Sequence, residues 1–105
     1  MTARVEVDRN GIIRSWDAGA EHLFGFNALE AIGSPLELII PQPSHACHRQ
    51  GFASYMKTGI KTLPDVVTAV GRHKNGQPVR FQISTKAIID NRGVVAGVEG
   101  LMSLD

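Results

Sequence analysis

What this chain lacks narrows its function before any motif is read. It has one cysteine, so no internal disulfide framework can form, and the composition fits a reducing compartment. No apolar run approaches the roughly 20 residues that a membrane-spanning helix needs. The opening residues, MTARVEVD, alternate apolar with charged, unlike a signal or transit peptide. These absences point to a cytoplasmic protein with no membrane partner. The formal net charge is +1, so the electrostatic footprint of nucleic-acid binding is missing. There is no internal repeat and no low-complexity segment. There is no G-x-x-x-x-G-K-[ST] phosphate loop, no Ser/His/Asp set built on a nucleophile elbow, and the glycines are dispersed. Asp8, Asp17 and Asp90 fall in turns or caps, where carboxylates serve structure. The expectation is a protein that is not an enzyme.

What is present suffices for one domain, residues 1–105, with one modest core. At this length about 60–70 % of the unfolded chain's surface is buried on folding. Ala3, Val5 and Val7 alternate with Arg4 and Glu6, the pattern of a half-buried strand. Asp8-Arg9-Asn10-Gly11 turns the chain, and residues 12–16 return as the second strand of a hairpin. Asp17 caps a short helix over Ala18–Phe24 that stops at Gly25. Asn27 caps another over 28–32, with Glu30 in its first turn and Gly33 after it. Residues 36–40, held between Pro35 and Pro41, form a single helical turn buried against the sheet.

Proline then blocks helix as far as Pro43. Ser44 caps a longer helix over about 44–58, closed by Gly59. Beyond it the period changes to two. Residues 65–73 read as a strand, Lys74-Asn75-Gly76-Gln77 as a hairpin turn, and Val79 to Ala87 as a long alternating strand. Val79, Phe81 and Ile83 should face the helices, with Arg80 and Gln82 turned away. Asp90-Asn91-Arg92-Gly93 turns the chain again into a last strand, 94–104, with Val94, Ala96, Val98 and Met102 on one side. Helices gathered between two groups of antiparallel strands make an α+β domain with a five-stranded sheet.

Within the long helix, His45, His48, Phe52 and Tyr55 recur at steps of three, four and three and share one face. Two imidazoles and two aromatics are an unusual choice for a plain core. His45-Ala46-Cys47-His48 has two metal-ligand histidines on one face, but Cys47 points elsewhere and no second ligand pair follows. Cys47 reads as a small apolar residue. Read as a core residue, His48 would pack under the sheet with one ring nitrogen bonded to a backbone carbonyl. His22 and His73 read as partly exposed surface residues, and Trp16 as core or interface.

Four stretches, VDRNGIIRSWDAGAEHLFGF, LEAIGSPLELIIP, GRHKNGQPVRFQIS and the glycine-bearing last strand, stand in the order and spacing of the PAS family of sensor domains, and the chain resembles that family over nearly its whole length. The resemblance implies a five-stranded antiparallel sheet with short helices and one longer helix cupping one face, the cup often holding a cofactor or small ligand. Within the family, AEHLFGFNALEAIG followed by IIPQP and a histidine five residues after Pro43 is most similar to haem-containing oxygen-sensing PAS domains of bacterial histidine kinases.

That similarity implies b-type haem, with His48 on the long helix as the proximal iron ligand. Phe52 and Tyr55 would supply apolar wall, and Lys57 and Lys61, with Arg49, cations for the propionates. Val67, Ile83 and Thr85 would surround the distal face. Oxygen sensors of this type place an arginine where this chain has Val67, and Arg72 lies too near the turn to replace it. A largely apolar pocket suits carbon monoxide, nitric oxide or a neutral ligand. A flavin photo-adduct needs an asparagine-cysteine-arginine motif that Cys47 does not sit in, which leaves non-covalent flavin, or no cofactor, as the alternatives. The family also implies a downstream partner such as a histidine kinase. Because this chain starts directly at its first strand, the cover that an N-terminal helix often gives the open sheet face is missing, and Trp16 with the last strand would leave an apolar patch there. A homodimer through that face or a sheet edge is expected. The alternative is a ligand-free module for dimerisation and protein interaction in signal transduction.

Overall fold

A computed structural model of the chain describes residues 2–40, 50, 53 and 66–104. Strands β1 (Thr2–Asp8) and β2 (Ile13–Trp16) form the opening hairpin. Helices α1 (Ala18–Phe24) and α2 (Ala28–Ala31) and a 3-10 turn (Leu36–Ile39) follow, then β3 (Val67–Arg72), β4 (Pro78–Ile89) and β5 (Val95–Leu104). All pairings are antiparallel, and the spatial order β2-β1-β5-β4-β3 puts the last strand at the centre of the sheet. The α+β class and the five-stranded sheet are as the sequence pattern implies. Of the longer helix expected over 44–58, Gln50 and Ala53 are described, both helical and exposed. His45, Cys47, His48, Arg49, Phe52, Tyr55, Lys57, Lys61 and the expected strand start at Asp65 lie outside the described residues.

The turns are built by the residues that mark them in the sequence. Asp8 Oδ1 accepts from the N–H groups of Asn10 (2.9 Å) and Ile12 (3.1 Å), and Gly11 takes φ +78°. Asp90 repeats the arrangement with Arg92 (2.8 Å) and Val94 (3.0 Å). Asp17 caps α1 by accepting from Ala20 N–H at 2.9 Å, and Gly25 ends the helix in the left-handed region at φ +80°. Asn27 and Glu30 form a reciprocal capping box on α2, at 2.8 and 3.1 Å. Glu30 also accepts from Lys74 Nζ at 2.6 Å, and Lys74 N–H donates to Phe24 C=O at 2.9 Å. The β3–β4 turn is thereby fastened to both short helices.

Phe24 is the centre of the packing. It is fully buried, 5.7 Å from the Trp16 ring and edge-on to Phe81 at 5.4 Å. Around it close Ala3, Val5, Val7, Ile13, Leu23, Ile39, Val98 and Met102. Phe81 is buried and Val79 and Ile83 pack against the core, while Arg80 and Gln82 are exposed, so the expected register of β4 holds.

Two expectations are corrected. Val94 lies outside β5 and is exposed, and Val95 packs against the core instead. Pairing steps from Ile88↔Gly97 to Ile89↔Val95, so β5 carries one extra residue at Ala96 and the alternation slips there. Trp16 is 5 % exposed, and its indole N–H donates to Phe26 C=O at 2.9 Å. It belongs to the core and adds nothing to the open face of the sheet.

Candidate functional site

Register decides which side chains meet. Directly paired residues of neighbouring antiparallel strands present their side chains to the same face. Val67 pairs with Ile83, Ile83 with Met102, and Met102 with Ala3. One step along, Thr85 pairs with Gly100 and Gly100 with Val5. Val67, Ile83 and Thr85 therefore stand together on the face that α1 and the 3-10 turn cover, the concave face. Phe81 and Gly71 lie on it too, nearer the 73–77 turn.

The two ends of this face differ. Toward the 73–77 turn it is filled. A Cβ on Gly71 would come within 2.8 Å of the Phe81 ring and 3.0 Å of both the Phe24 ring and the Ile39 carbonyl oxygen. At the other end Val67, Ile83, Thr85 and Ala87 are half-buried. Strand residues described on the concave face include no charged side chain, because Arg72, Arg80, Lys86 and Glu99 all alternate to the opposite face. Thr85 is the polar residue among these strand positions, and the Trp16 N–H is engaged by the Phe26 carbonyl.

The opposite face is polar at its middle. Arg4 Nη2 bridges Glu6 (2.5 Å) and Glu99 (2.9 Å). Hydrogen bonding from Arg4 holds the Glu99 carboxyl below its ordinary range, and the same bond, with Glu6 beside it, raises the guanidinium further. Leu101 and Val70 are the large apolar side chains on this face that stand about half exposed. They sit on β5 and β3, with Gln82 and Ser84 of β4 between them.

The sequence singled out Val67, Ile83 and Thr85, and the sheet brings them together. Val67 occupies the strand position named for it, paired with Ile83, and Arg72 pairs with Pro78 at the far end of β3 on the opposite face. The ligand-side helix positions His48, Phe52, Tyr55, Lys57 and Lys61 lie outside the described residues. Gly100 and Met102 also belong to this surface, and the sequence reading gave neither a site role. His22 is exposed and His73 half-buried, with its Nδ1 accepting from Asn75 N–H at 3.1 Å. Among the described residues no group of three His, Cys, Asp or Glu could hold a metal ion, and no helix is long and apolar enough to cross a membrane.

The strands thus form one five-stranded antiparallel sheet with short helices on one face. The chain belongs to the PAS family: the family model described as PAS fold matches residues 2–103. It is 36 % identical over 85 residues to the sensor protein FixL of Bradyrhizobium diazoefficiens, a match that covers 78 % of this chain and 16 % of that protein. The chain thus spans about a sixth of the length of that curated relative. Among solved structures, a PAS domain from Colwellia psychrerythraea superposes with a TM-score of 0.81 at 21 % identity, covering 99 % of this chain and 86 % of that one. The PAS domain of the RpfR quorum-sensing receptor of Cronobacter turicensis, in complex with C12:0, superposes at 0.78 with 16 % identity, covering 98 % and 92 %.

Proposed function

We propose that this chain is a single ligand-sensing PAS domain, not a catalyst, that takes b-type haem through His48 and relays a conformational signal to a partner domain or protein such as a histidine kinase. The observation that carries the reading is the convergence of Val67, Ile83 and Thr85 on one apolar, half-buried part of the concave face. That surface fits a flat apolar group, for it offers branched aliphatic side chains and one hydroxyl and no charge among its described strand residues. The sensor-protein relative and the histidine motif after IIPQP support the same reading.

Helix geometry adds support. Gln50 and Ala53 are helical and exposed. In the helix expected from the sequence over 44–58, about 100° per residue would put positions 48, 52 and 55 on the side away from positions 50 and 53. His48 would hold the iron through a neutral imidazole, Phe52 and Tyr55 would wall the ring, and Lys57 and Lys61 would meet the propionates. When bound, haem supplies the iron position at which a small neutral gas is sensed. The residues of this chain would exclude water from it and, lacking an arginine at Val67, would favour carbon monoxide or nitric oxide. Non-covalent flavin is the alternative cofactor.

The test is reconstitution with hemin, followed by absorbance in the Soret region. Wild-type protein should show a ligated-haem band, His48→Ala should lose it or leave a weak, altered one, and His45→Ala should keep it. Folded wild-type protein that takes up no hemin would sink the haem reading. The second reading, a ligand-free interaction module, draws on the exposed Val70 and Leu101 of the open face. A homodimer through that face or a sheet edge accompanies either reading, and sedimentation at high concentration showing monomer alone would refute it.

A further inference from the structure

Three glycines interrupt the strands of the sheet, and packing accounts for two. Gly71 faces the Phe24 and Phe81 rings and the Ile39 carbonyl, with no room for a methyl group. A Cβ on Gly97 would collide with the Val7 carbonyl oxygen. Gly100 is different. Its φ is not in the left-handed region, and no backbone atom is among the close neighbours of a Cβ built there. Such a Cβ meets Ile83 Cδ1 and Met102 Cε, each at 3.3 Å, and Ile83 Cγ1 at 3.8 Å. Neither chain conformation nor backbone packing requires glycine at this position. Yet Gly100 is buried in the central strand, where a glycine weakens the strand and often marks close approach by a ligand.

We propose that Gly100 sets the depth of the ligand seat on the concave face. The inference rests on the ligand-binding reading above and deepens it. Ile83 and Met102 are cross-strand partners one step from the Thr85–Gly100 pair. Their side-chain tips fold down into the hollow that the missing Cβ leaves. With the tips lowered, the surface beside Val67 and Thr85 stays shallow and flat. A methyl at 100 pushes those tips outward by a few tenths of an ångström, and a branched side chain pushes them further. A broad, flat apolar ring system is the ligand class most sensitive to this, because one raised point tilts the whole plane. A small gas molecule would scarcely register it.

The experiment titrates hemin into wild type, Gly100→Ala, Gly100→Val and the double variant Gly100→Ala/Ile83→Val. Ile83→Val removes Cδ1, one of the two tips nearest the new methyl. Circular dichroism and urea unfolding establish that each protein is folded. The expected series is hemin affinity about tenfold weaker in Gly100→Ala, weaker still in Gly100→Val, and largely restored in the double variant, as overpacking and its relief predict. If Gly100→Val does not fold, the alanine pair alone decides. Folded Gly100→Ala binding hemin as wild type does would overturn the proposal, as would a double variant no better than Gly100→Ala. Folded wild-type protein that binds no hemin would overturn the haem reading and this inference with it, an outcome visible before any variant is made.

Discussion

Replacing Gly71 by alanine tests the packing at the closed end of the cup. The new Cβ would stand 2.8 Å from Phe81 Cε1, 3.0 Å from Phe24 Cε1 and 3.0 Å from the Ile39 carbonyl oxygen. None of the three yields easily. The two rings are locked edge-to-face at 5.4 Å, Phe24 is fully buried with Trp16 behind it at 5.7 Å, and the oxygen belongs to backbone of the 3-10 turn. Two terms oppose each other. Alanine in a strand gains about 0.5–1 kcal/mol over glycine because the unfolded chain loses less freedom. Overpacking a filled core costs about 1–3 kcal/mol. With three close contacts of which none yields easily, the cost wins, and Gly71→Ala should destabilise by about 1 kcal/mol. Urea unfolding should show a lower midpoint with an unchanged slope. In a double-mutant cycle, Phe81→Leu should cost less in the Gly71→Ala background than in wild type, because the smaller side chain relieves the new contact. An unchanged or higher midpoint in Gly71→Ala would refute the argument.

Asn27→Ala removes the acceptor for Glu30 N–H and with it half of the capping box, and should cost about 0.5–2 kcal/mol in chemical denaturation, with Asn27→Ser close to wild type. Acid should also destabilise the domain. Burial alone would push the Asp8 carboxyl up, but donation from Ile12 N–H, Arg14 and Asn10 N–H outweighs it and holds the carboxyl below its ordinary 3.8. A depressed folded value gives stability that is present above the unfolded value and is lost as pH falls through the folded one. Unfolding midpoints should therefore drop as pH falls below about 4, and the drop should be shallower in Asp8→Asn.

The fold was legible because its local signals agree with one another. Alternation along Val79, Phe81 and Ile83 set which face of β4 is buried, and Asn75-Gly76 fixed where β3 and β4 join. Asp17, Asn27, Asp8 and Asp90 each cap or turn the backbone where their short oxygens reach free N–H groups. The slip at Ala96 left no such trace. A bulge is a mismatch between two strands, and nothing within residues 94–98 distinguishes one extra residue from unbroken alternation. Trp16 was ambiguous for a related reason. An indole at a strand end suits core or interface equally until the Phe26 carbonyl that takes its N–H is placed.

The candidate site divides along the same line. Val67, Ile83 and Thr85 were named through the resemblance to haem-containing PAS domains, Val67 by counting back from the Asn75-Gly76 turn, and strand register brings the three to one surface. Gly100 could not be placed that way. A glycine shows no face in a sequence pattern, and Gly71, Gly97 and Gly100 look alike as letters. What separates them is the atom that a missing Cβ would strike: two aromatic rings and a carbonyl, a neighbouring strand's carbonyl, or two flexible side-chain tips. The first two glycines are accounted for by packing within the fold. For the third the neighbours are side-chain tips alone, and on the proposal above its role would come from the ligand face and not from the fold.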